Sequence, residues 1–450
     1  MRDFLPSDKA RREAVLSVIR DTYRLHGFEE IETPVMENSA WLHAGLGGDT
    51  EKLAFGVLKR GLELDDLHAA TDALQLADLG LRFDLTVPLA RFYATHRAEL
   101  PSVFRSIQIG SVWRAERPQK GRFRQFVQCD IDIIGEAGPL AEIELITATQ
   151  AALAALGLDD CTIRINDRRI LAGLLGHWGV AADQQERALI AIDKLDKIGA
   201  DGVAEELAGL GIRTDGLADA LAVSGWNLLD GAVGNGAAES GASGNGASEN
   251  RAAENGGSGN GAAENGAAEN GCSGNGVPQW LDVEAYRALL ELRAAVPNAT
   301  LEFDPTLVRG MGYYTGTIFE IAHPSLGYSL GGGGRYDDMI GRFLGTDVPA
   351  TGFSLGFERI VDLVQLPESG TADAVALVHE KAADPAALVA LKNSVIASGK
   401  RARLEPRVKN TRVMLDQLAA SGFTHFAFVT DESTVDALEL RRFDSGVGHH

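Results

Sequence analysis

The stretch Arg114-Ala115-Glu116-Arg117-Pro118-Gln119-Lys120-Gly121-Arg122-Phe123-Arg124-Gln125-Phe126-Val127-Gln128-Cys129-Asp130-Ile131-Asp132 decides how this chain is read. Arg114, Arg117, Lys120, Arg122 and Arg124 surround Pro118 and Gly121, which break a helix and permit a turn. Phe126, Gln128, Asp130 and Asp132 then fall on alternate positions, so they share one face of a strand. The pattern predicts a hairpin with a cationic tip, whose second strand turns an amide and carboxylates to the same side. A guanidinium fork stays charged at any working pH and binds phosphate oxygens in pairs, so an arginine at the start of this hairpin suits a nucleotide triphosphate. The bland alternative is a solvated basic hairpin on the surface.

Outward from this hairpin, Lys9 to His26 carries Ala14, Val15, Val18, Ile19 and Tyr23 at helical spacing and stops at Gly27. Ile31 to Val35 is expected as a strand. Arg82-Phe83-Asp84-Leu85-Thr86-Val87-Pro88 is expected as a short strand broken by its proline, and Phe104 to Trp113 as the strand entering the hairpin. Glu136 to Leu156 is expected as a helix. The β-branched segment Thr162 to Ile165 should lead through Asn166-Asp167-Arg168-Arg169 into another helix. This alternation predicts a mixed, largely antiparallel sheet flanked by helices.

A chain of 450 residues exceeds what one core fills, and its 45% hydrophobic content suffices for two or three globular domains. No apolar run is long enough to span a bilayer, and Met1-Arg2-Asp3-Phe4-Leu5-Pro6 lacks the apolar core of a signal peptide, so the expected address is cytoplasmic. Cys129, Cys161 and Cys272 have no Cys-x-x-Cys spacing and are read as free thiols, with no metal site implied. The net charge of −21 argues against a protein that coats nucleic acid non-specifically, although the hairpin remains a local cationic patch.

From Gly231 to Gly276 the chain nearly repeats Gly-Asn-Gly-Ala-Ala-Glu-Asn, with no aromatic residue. Such a composition cannot offset the ~1–2 kcal/mol per residue of backbone ordering, which predicts a disordered insert, the alternative being a recognition arm. The final part has strands expected at Asp373 to His379, Arg401 to Glu405 and Thr424 to Thr430, with helices at Pro385 to Ser398 and Thr411 to Ser421. Such β-α-β-α-β order predicts a small sheet of mostly parallel strands.

The hairpin sequence resembles motif 2 of class II aminoacyl-tRNA synthetases, and its detailed form resembles that of histidyl-tRNA synthetases. Gly27-Phe28-Glu29-Glu30-Ile31-Glu32-Thr33-Pro34 resembles motif 1, which in this class packs at a dimer interface. Leu307-Val308-Arg309-Gly310-Met311-Gly312-Tyr313-Tyr314 resembles a signature of the histidyl enzymes. Gly333-Gly334-Arg335-Tyr336-Asp337 and Gly352-Phe353-Ser354-Leu355-Gly356-Phe357-Glu358-Arg359 resemble the second histidyl signature and motif 3. Four matches in the family's order carry more weight than any one.

The resemblance implies an α+β catalytic domain with a class II synthetase-like antiparallel sheet flanked by helices, plus a small α/β C-terminal domain. The implied division is 1–175 and 278–368 for the two parts of the catalytic domain, 176–230 for a helical insertion, 231–277 for the low-complexity insert and 369–450 for an anticodon-binding-like unit. Ala191 to Ile198 belongs to the helical insertion, which in the family lies near the tRNA acceptor stem; an ordinary lysine-bearing helix is the alternative. In the last unit, Lys400, Arg401, Arg403, Arg407, Lys409 and Arg412 form a candidate backbone-contacting patch.

By the same resemblance the chain activates L-histidine with ATP, aided by Mg²⁺, and transfers it to tRNA(His) as a homodimer. Asp84, Leu85 and Thr86 stand where the family holds the α-amino group. Gln128 and Asp132 stand where contacts to the substrate carboxylate or imidazole are made, and Tyr313 and Tyr314 on the other side. Arg114 and Arg309 match arginines set against the ATP α-phosphate, Arg359 the one on the γ-phosphate, and Glu116 lies among the adenine and phosphate contacts. Gly312 replaces an acid of the commonest signature. The competing reading is a non-catalytic histidine-binding regulatory subunit of ATP phosphoribosyltransferase. Such paralogues typically lose catalytic arginines and the anticodon-binding unit.

Overall fold

The computed structural model describes residues 1–43, 53–117, 123–213, 217, 220, 223, 225–229, 277–310, 312, 314–365 and 373–443. The insert expected at 231–276, the hairpin tip from Pro118 to Arg122, Tyr313 and Cys272 lie outside the described residues.

The strands in chain order are β1 (Glu29–Glu30), β2 (Met36–Asn38), β3 (Phe55–Leu58), β4 (Ala77–Leu81), β5 (Phe104–Trp113), β6 (Gln125–Ile134), β7 (Thr162–Asp167) and β8 (Leu301–Phe303). They continue with β9 (Thr317–Ala322), β10 (Gly331–Arg335), β11 (Ala350–Gly356), β12 (Ala374–His379), β13 (Arg401–Pro406), β14 (His425–Val429) and β15 (Arg441–Arg442). Eight of them form one sheet in the order β1-β5-β6-β11-β10-β9-β7-β8. Its pairs are antiparallel except the outermost, β1 with β5 and β7 with β8.

Side-chain alternation divides this sheet into an apolar and a polar face. Ile107, Ile131, Phe353, Gly333, Phe319, Ile165 and Phe303 lie in register on one face. All but the glycine belong to the main hydrophobic cluster, with the helices Pro6–Leu25 and Leu140–Ala155 packed over them. Pro6 suits the first turn of its helix because that turn needs no N–H partner, and Gly27, with φ +85°, lets the chain leave. The helix after β6 starts at Leu140 rather than at Glu136, because Gly135 at φ +99° and Pro139 shape a turn first.

Two expected strands are displaced. The strand expected at Ile31 to Val35 is β1, two residues earlier, beside Ser106 and Ile107; Ile31 N still donates to Ile107 O at 2.9 Å before Pro34 turns the chain away. The expected strand from Arg82 to Pro88 is instead an irregular link between β4 and the helix Thr86–His96. Pro88 falls in that helix's first turn, where a missing N–H costs nothing.

Ala191 to Ile198 spans a break between the helices Gln185–Ile192 and Leu195–Gly209, and Lys194 there pairs with Glu206 at 2.7 Å. In the C-terminal part, β12 is parallel to β13 and β14, and β15 closes the edge antiparallel. Alternate residues of β12 enter two cores: Val375 and Leu377 pack with the helix Pro385–Ala397, and Ala374, Ala376 and Val378 with Thr411–Ala420. A central parallel strand buried on both faces explains its unbroken apolar sequence.

Candidate functional site

Gln128 and Asp132, two of the residues singled out from the sequence, lie on the polar face of the large sheet. Its three central rows read Gly110–Gln128–Gly356, Gln108–Asp130–Ser354–Gly332–Glu320 and Ser106–Asp132–Gly352–Gly334–Ile318. The long side chains of β6 are thus flanked by glycine or serine on β11. A Cβ on Gly352 would sit 2.0 Å from Asp132 Oδ1, and one on Gly332 would sit 2.1 Å from Arg309 Nη1. These glycines are therefore required by close approach, not by a turn.

Three carboxylic acids gather here. Asp132 accepts a hydrogen bond from the Tyr336 hydroxyl at 2.5 Å, and Asp84 accepts from Val87 N at 3.3 Å in the irregular link. Burial pushes Asp84 up to about 6, against the lowering effects of Val87 N and the Arg114 charge. Burial pushes Asp132 up to about 7, the Tyr336 bond opposing it and the charge of Asp84 adding to it. Asp130 is also raised well above the ordinary carboxylate range, first by burial and then by Asp132. Such a cluster is suited to a cationic or N–H-rich ligand, which would relieve the crowding of like charge.

The irregular link is itself fixed. Arg82 donates to Thr33 O at 2.8 Å and Ser111 O at 3.0 Å, and Gln108 Nε2 reaches Leu85 O at 3.0 Å. Leu85 therefore contributes a buried side chain and an already engaged carbonyl, while Thr86 opens the following helix.

Arginines border the acids. Arg114 donates from Nε to Phe83 O at 3.0 Å, and its guanidinium carbon lies 5.0 Å from the Phe126 ring centre. Among the described residues its terminal nitrogens have no hydrogen-bond partner, so the prongs of the fork are open to an anion. Arg309 reaches Gly331 O at 3.1 Å, Ser329 Oγ at 3.3 Å and Glu320 at 3.2 Å. Arg359 donates to Ser329 O and lies 5.0 Å from the Tyr328 ring centre. Two arginines 50 positions apart in sequence thus converge on Ser329.

Glu116 lies just beyond β5, its carbonyl accepting from Arg124 Nε at 3.1 Å. Tyr314 packs between the two large hydrophobic clusters, and its ring occupies the space a Cβ on Gly310 would need. Arg335, from the second signature, is committed to structure: it grips Glu142 at 2.6 and 2.7 Å and Asp337 at 3.2 Å.

Spacing alone puts Asp130 on this face but assigns it no task, and it gives no sign of Tyr336, Ser354 or Gln108. Only strand register brings these to Gln128 and Asp132. In the C-terminal unit Arg403 pairs with Glu405, Arg407 with Glu380 at 2.7 Å, and Arg401 lies 4.4 Å from the Phe423 ring centre, so part of the expected cationic patch is already neutralised. Among the described residues no group of three or more His, Cys, Asp or Glu could hold a metal ion, Cys129 and Cys161 are free and buried, and no helix is long and apolar enough to cross a membrane.

The family model described as Histidyl-tRNA synthetase matches residues 1–223 and 264–360. A "Histidine--tRNA ligase" of Leifsonia xyli subsp. xyli is 56% identical over 98% of this chain and 96% of its own length. The chain belongs to the histidyl-tRNA synthetase family. Another relative of this family, named "Probable histidine--tRNA ligase", comes from Tropheryma whipplei strain Twist and is 39% identical over 97% of this chain and 96% of its own length.

Solved structures agree on the fold. A histidyl-tRNA synthetase from Nostoc sp. PCC 7120 superposes with a TM-score of 0.67 at 24% identity, covering 95% of this chain and 90% of the other. A Bacillus halodurans protein described as "ATP phosphoribosyltransferase regulatory subunit/histidyl-tRNA synthetase" superposes with a TM-score of 0.67 at 21% identity, covering 96% of each chain.

Proposed function

We propose that this member of the histidyl-tRNA synthetase family activates L-histidine with ATP to histidyl-adenylate and transfers it to the 3′ end of tRNA(His). The observation that carries the reading is the convergence, on one sheet face, of three buried acids with Arg114, Arg309 and Arg359 around them. In activation the histidine carboxylate attacks the α-phosphorus of ATP, a new P–O bond forms, and pyrophosphate leaves with the broken P–O bond's electrons. Two anions must meet, so fixed cations lower the barrier and no protein nucleophile is required.

We assign Asp84 and Thr86 to the substrate α-amino group, with Leu85 shaping the link between them, and Gln128 and Asp132 to the imidazole or carboxylate, opposite Tyr313 and Tyr314. Arg114 and Arg309 face the α-phosphate, Arg359 faces the γ-phosphate, and Glu116 lies toward the adenine. Mg²⁺ enters as part of the MgATP substrate, held chiefly by phosphate oxygens and water. A site of buried polar partners rejects apolar side chains by about 10⁴ or more, which supports selection of imidazole.

The regulatory-subunit reading is not favoured: Arg114, Arg309 and Arg359 are all present, and so is a C-terminal α/β unit. A homodimer is supported by Val35, Met36, Trp41 and Leu79, apolar side chains exposed on and beside the small β2-β4-β3 sheet; light scattering on the purified protein tests it. The reaction's tRNA partner supports a cytoplasmic location. Histidine-dependent exchange of pyrophosphate into ATP, followed by charging of tRNA(His), tests the whole reading; histidine binding without exchange would return the regulatory subunit to first place.

A further inference from the structure

Gln128 occupies an unusual position for a buried amide. Its side chain is 8% exposed. Nε2 donates to Ser354 Oγ at 3.1 Å and lies 3.3 and 3.4 Å from the two oxygens of Asp130, whereas Oε1 is shielded from solvent with no hydrogen-bond partner among the described residues. Ser354 is the cross-strand neighbour of Asp130, so the two groups that receive the amide nitrogen stand side by side and complete a triangle beneath it. A buried carbonyl oxygen left unpaired is costly unless something arrives to pair it.

Asp130 itself is hard to explain as a structural residue. It is 4% exposed at the centre of the sheet, and among the described residues no cation donates a hydrogen bond to it. An apolar side chain would suit that position better for stability alone. The triangle gives it a task. Two acceptors, Asp130 and Ser354, dictate which end of the Gln128 amide points down, and so which end is left for a ligand.

We propose that Asp130 is a positioning residue for substrate recognition: with Ser354 it holds the Gln128 amide nitrogen, so that Gln128 Oε1 is presented as an acceptor to an N–H of the bound histidine. The inference rests on the histidine-activating reading above and deepens it by giving Gln128 a fixed polarity. Without Asp130 the amide can rotate and offer its NH₂ end, which repels a substrate donor.

The test is steady-state ATP–pyrophosphate exchange with purified full-length variants. Asp130→Ala should raise the KM for histidine about tenfold or more, with kcat and the KM for ATP changed less than about threefold, the scale of one misdirected hydrogen bond. Asp130→Asn should restore the histidine KM to within about threefold, because its amide oxygen can accept from Gln128 while its NH₂ serves Ser354. In a Gln128→Ala background Asp130→Ala should add nothing. Should Asp130→Ala not fold, Ser354→Ala takes its place with the same expectation in both backgrounds. An unchanged histidine KM, equal losses in the Ala and Asn variants, or losses that multiply with Gln128→Ala would overturn the role of Asp130. A wild-type protein with no histidine-dependent exchange would overturn the underlying reading instead.

Discussion

Arg12 and Glu358 form a two-pronged ion pair inside the protein, with Nη1 2.5 Å from Oε2 and Nη2 2.8 Å from Oε1, and side chains 7% and 6% exposed. The pair ties the first helix to the helix Phe357–Leu363, which carries Arg359. Glu358 also accepts from Val127 N at 3.2 Å, so β6 is held by the same carboxylate. Burial works to raise the Glu358 carboxyl, yet Arg12, Val127 N and Arg2 together hold it below its ordinary 4.5.

Arg12→Ala should therefore lower unfolding stability by about 3–5 kcal/mol, because it leaves a carboxylate buried without its main partner. Its stabilising effect is present above pH 4.5 and is lost as pH falls through the depressed folded value, so the variant and the wild type should converge in acid. Urea unfolding at pH 7 and in acid measures both statements. A variant as stable as the wild type at neutral pH would show that the pair contributes no net stability.

The large-scale design was legible where physics is local. Alternation from Phe126 to Asp132 disclosed β6 and its polar face, and the strand-helix alternation from Asp373 onward disclosed β12 and its mostly parallel sheet. The link at Arg82 to Leu85 was not legible, because a proline ends a strand and starts a helix with equal ease. Nor was the pairing of Asp132 with Tyr336, or of Gln128 with Ser354, since each depends on register between segments more than two hundred residues apart. Arg335 shows the converse: it lies inside a family signature, yet its guanidinium is spent on Glu142 and Asp337.

The acid cluster makes a pH prediction with the opposite sign to Glu358. Asp84 at about 6 and Asp132 at about 7 both exceed the ordinary 3.8, so between about pH 4 and 7 the folded protein holds protons that the unfolded chain has released. Stability from these groups must fall as pH rises through that window. Calorimetry of ligand-free protein should show it, and Asp84→Asn or Asp132→Asn should flatten the fall. Added histidine should stabilise more at pH 8 than at pH 5, because its ammonium then meets ionised carboxylates. A histidine effect larger at pH 5 would count against the cluster as its binding site.

The glycines on β10 and β11 predict two distinct kinds of damage. The nearest atoms to a Cβ on Gly352 belong to side chains, Asp132 Oδ1 at 2.0 Å and Tyr336 at 3.3 Å. Gly352→Ala should fold but displace Asp132, weakening histidine activation by tenfold or more. A Cβ on Gly333 meets the backbone oxygen of Gly352 at 1.9 Å, which cannot move without opening the sheet. Gly333→Ala should therefore lose soluble, folded protein. Circular dichroism separates the two, and a folded Gly333→Ala protein would contradict this view of the sheet.

Arg309 puts the catalytic reading itself at risk. Its guanidinium is braced by Gly331 O, Ser329 Oγ and Glu320, so its charge is fixed before any ligand arrives, and Ser329 O also receives Arg359. Fixed charge beside a reacting phosphate stabilises the transition state without reorganisation. Arg309→Ala should then cut histidine-dependent pyrophosphate exchange by about two to three orders of magnitude. Histidine binding should weaken far less, since Asp84, Gln128 and Asp132 remain in place. The fold should survive, because Glu320 keeps a second partner in Arg164 at 3.3 Å. Ser329→Ala removes one brace and leaves the backbone contact to Arg359, so its loss should be much smaller. Full exchange activity in a folded Arg309→Ala protein would remove the arginine from the reaction and, with it, the main argument for ATP at this site.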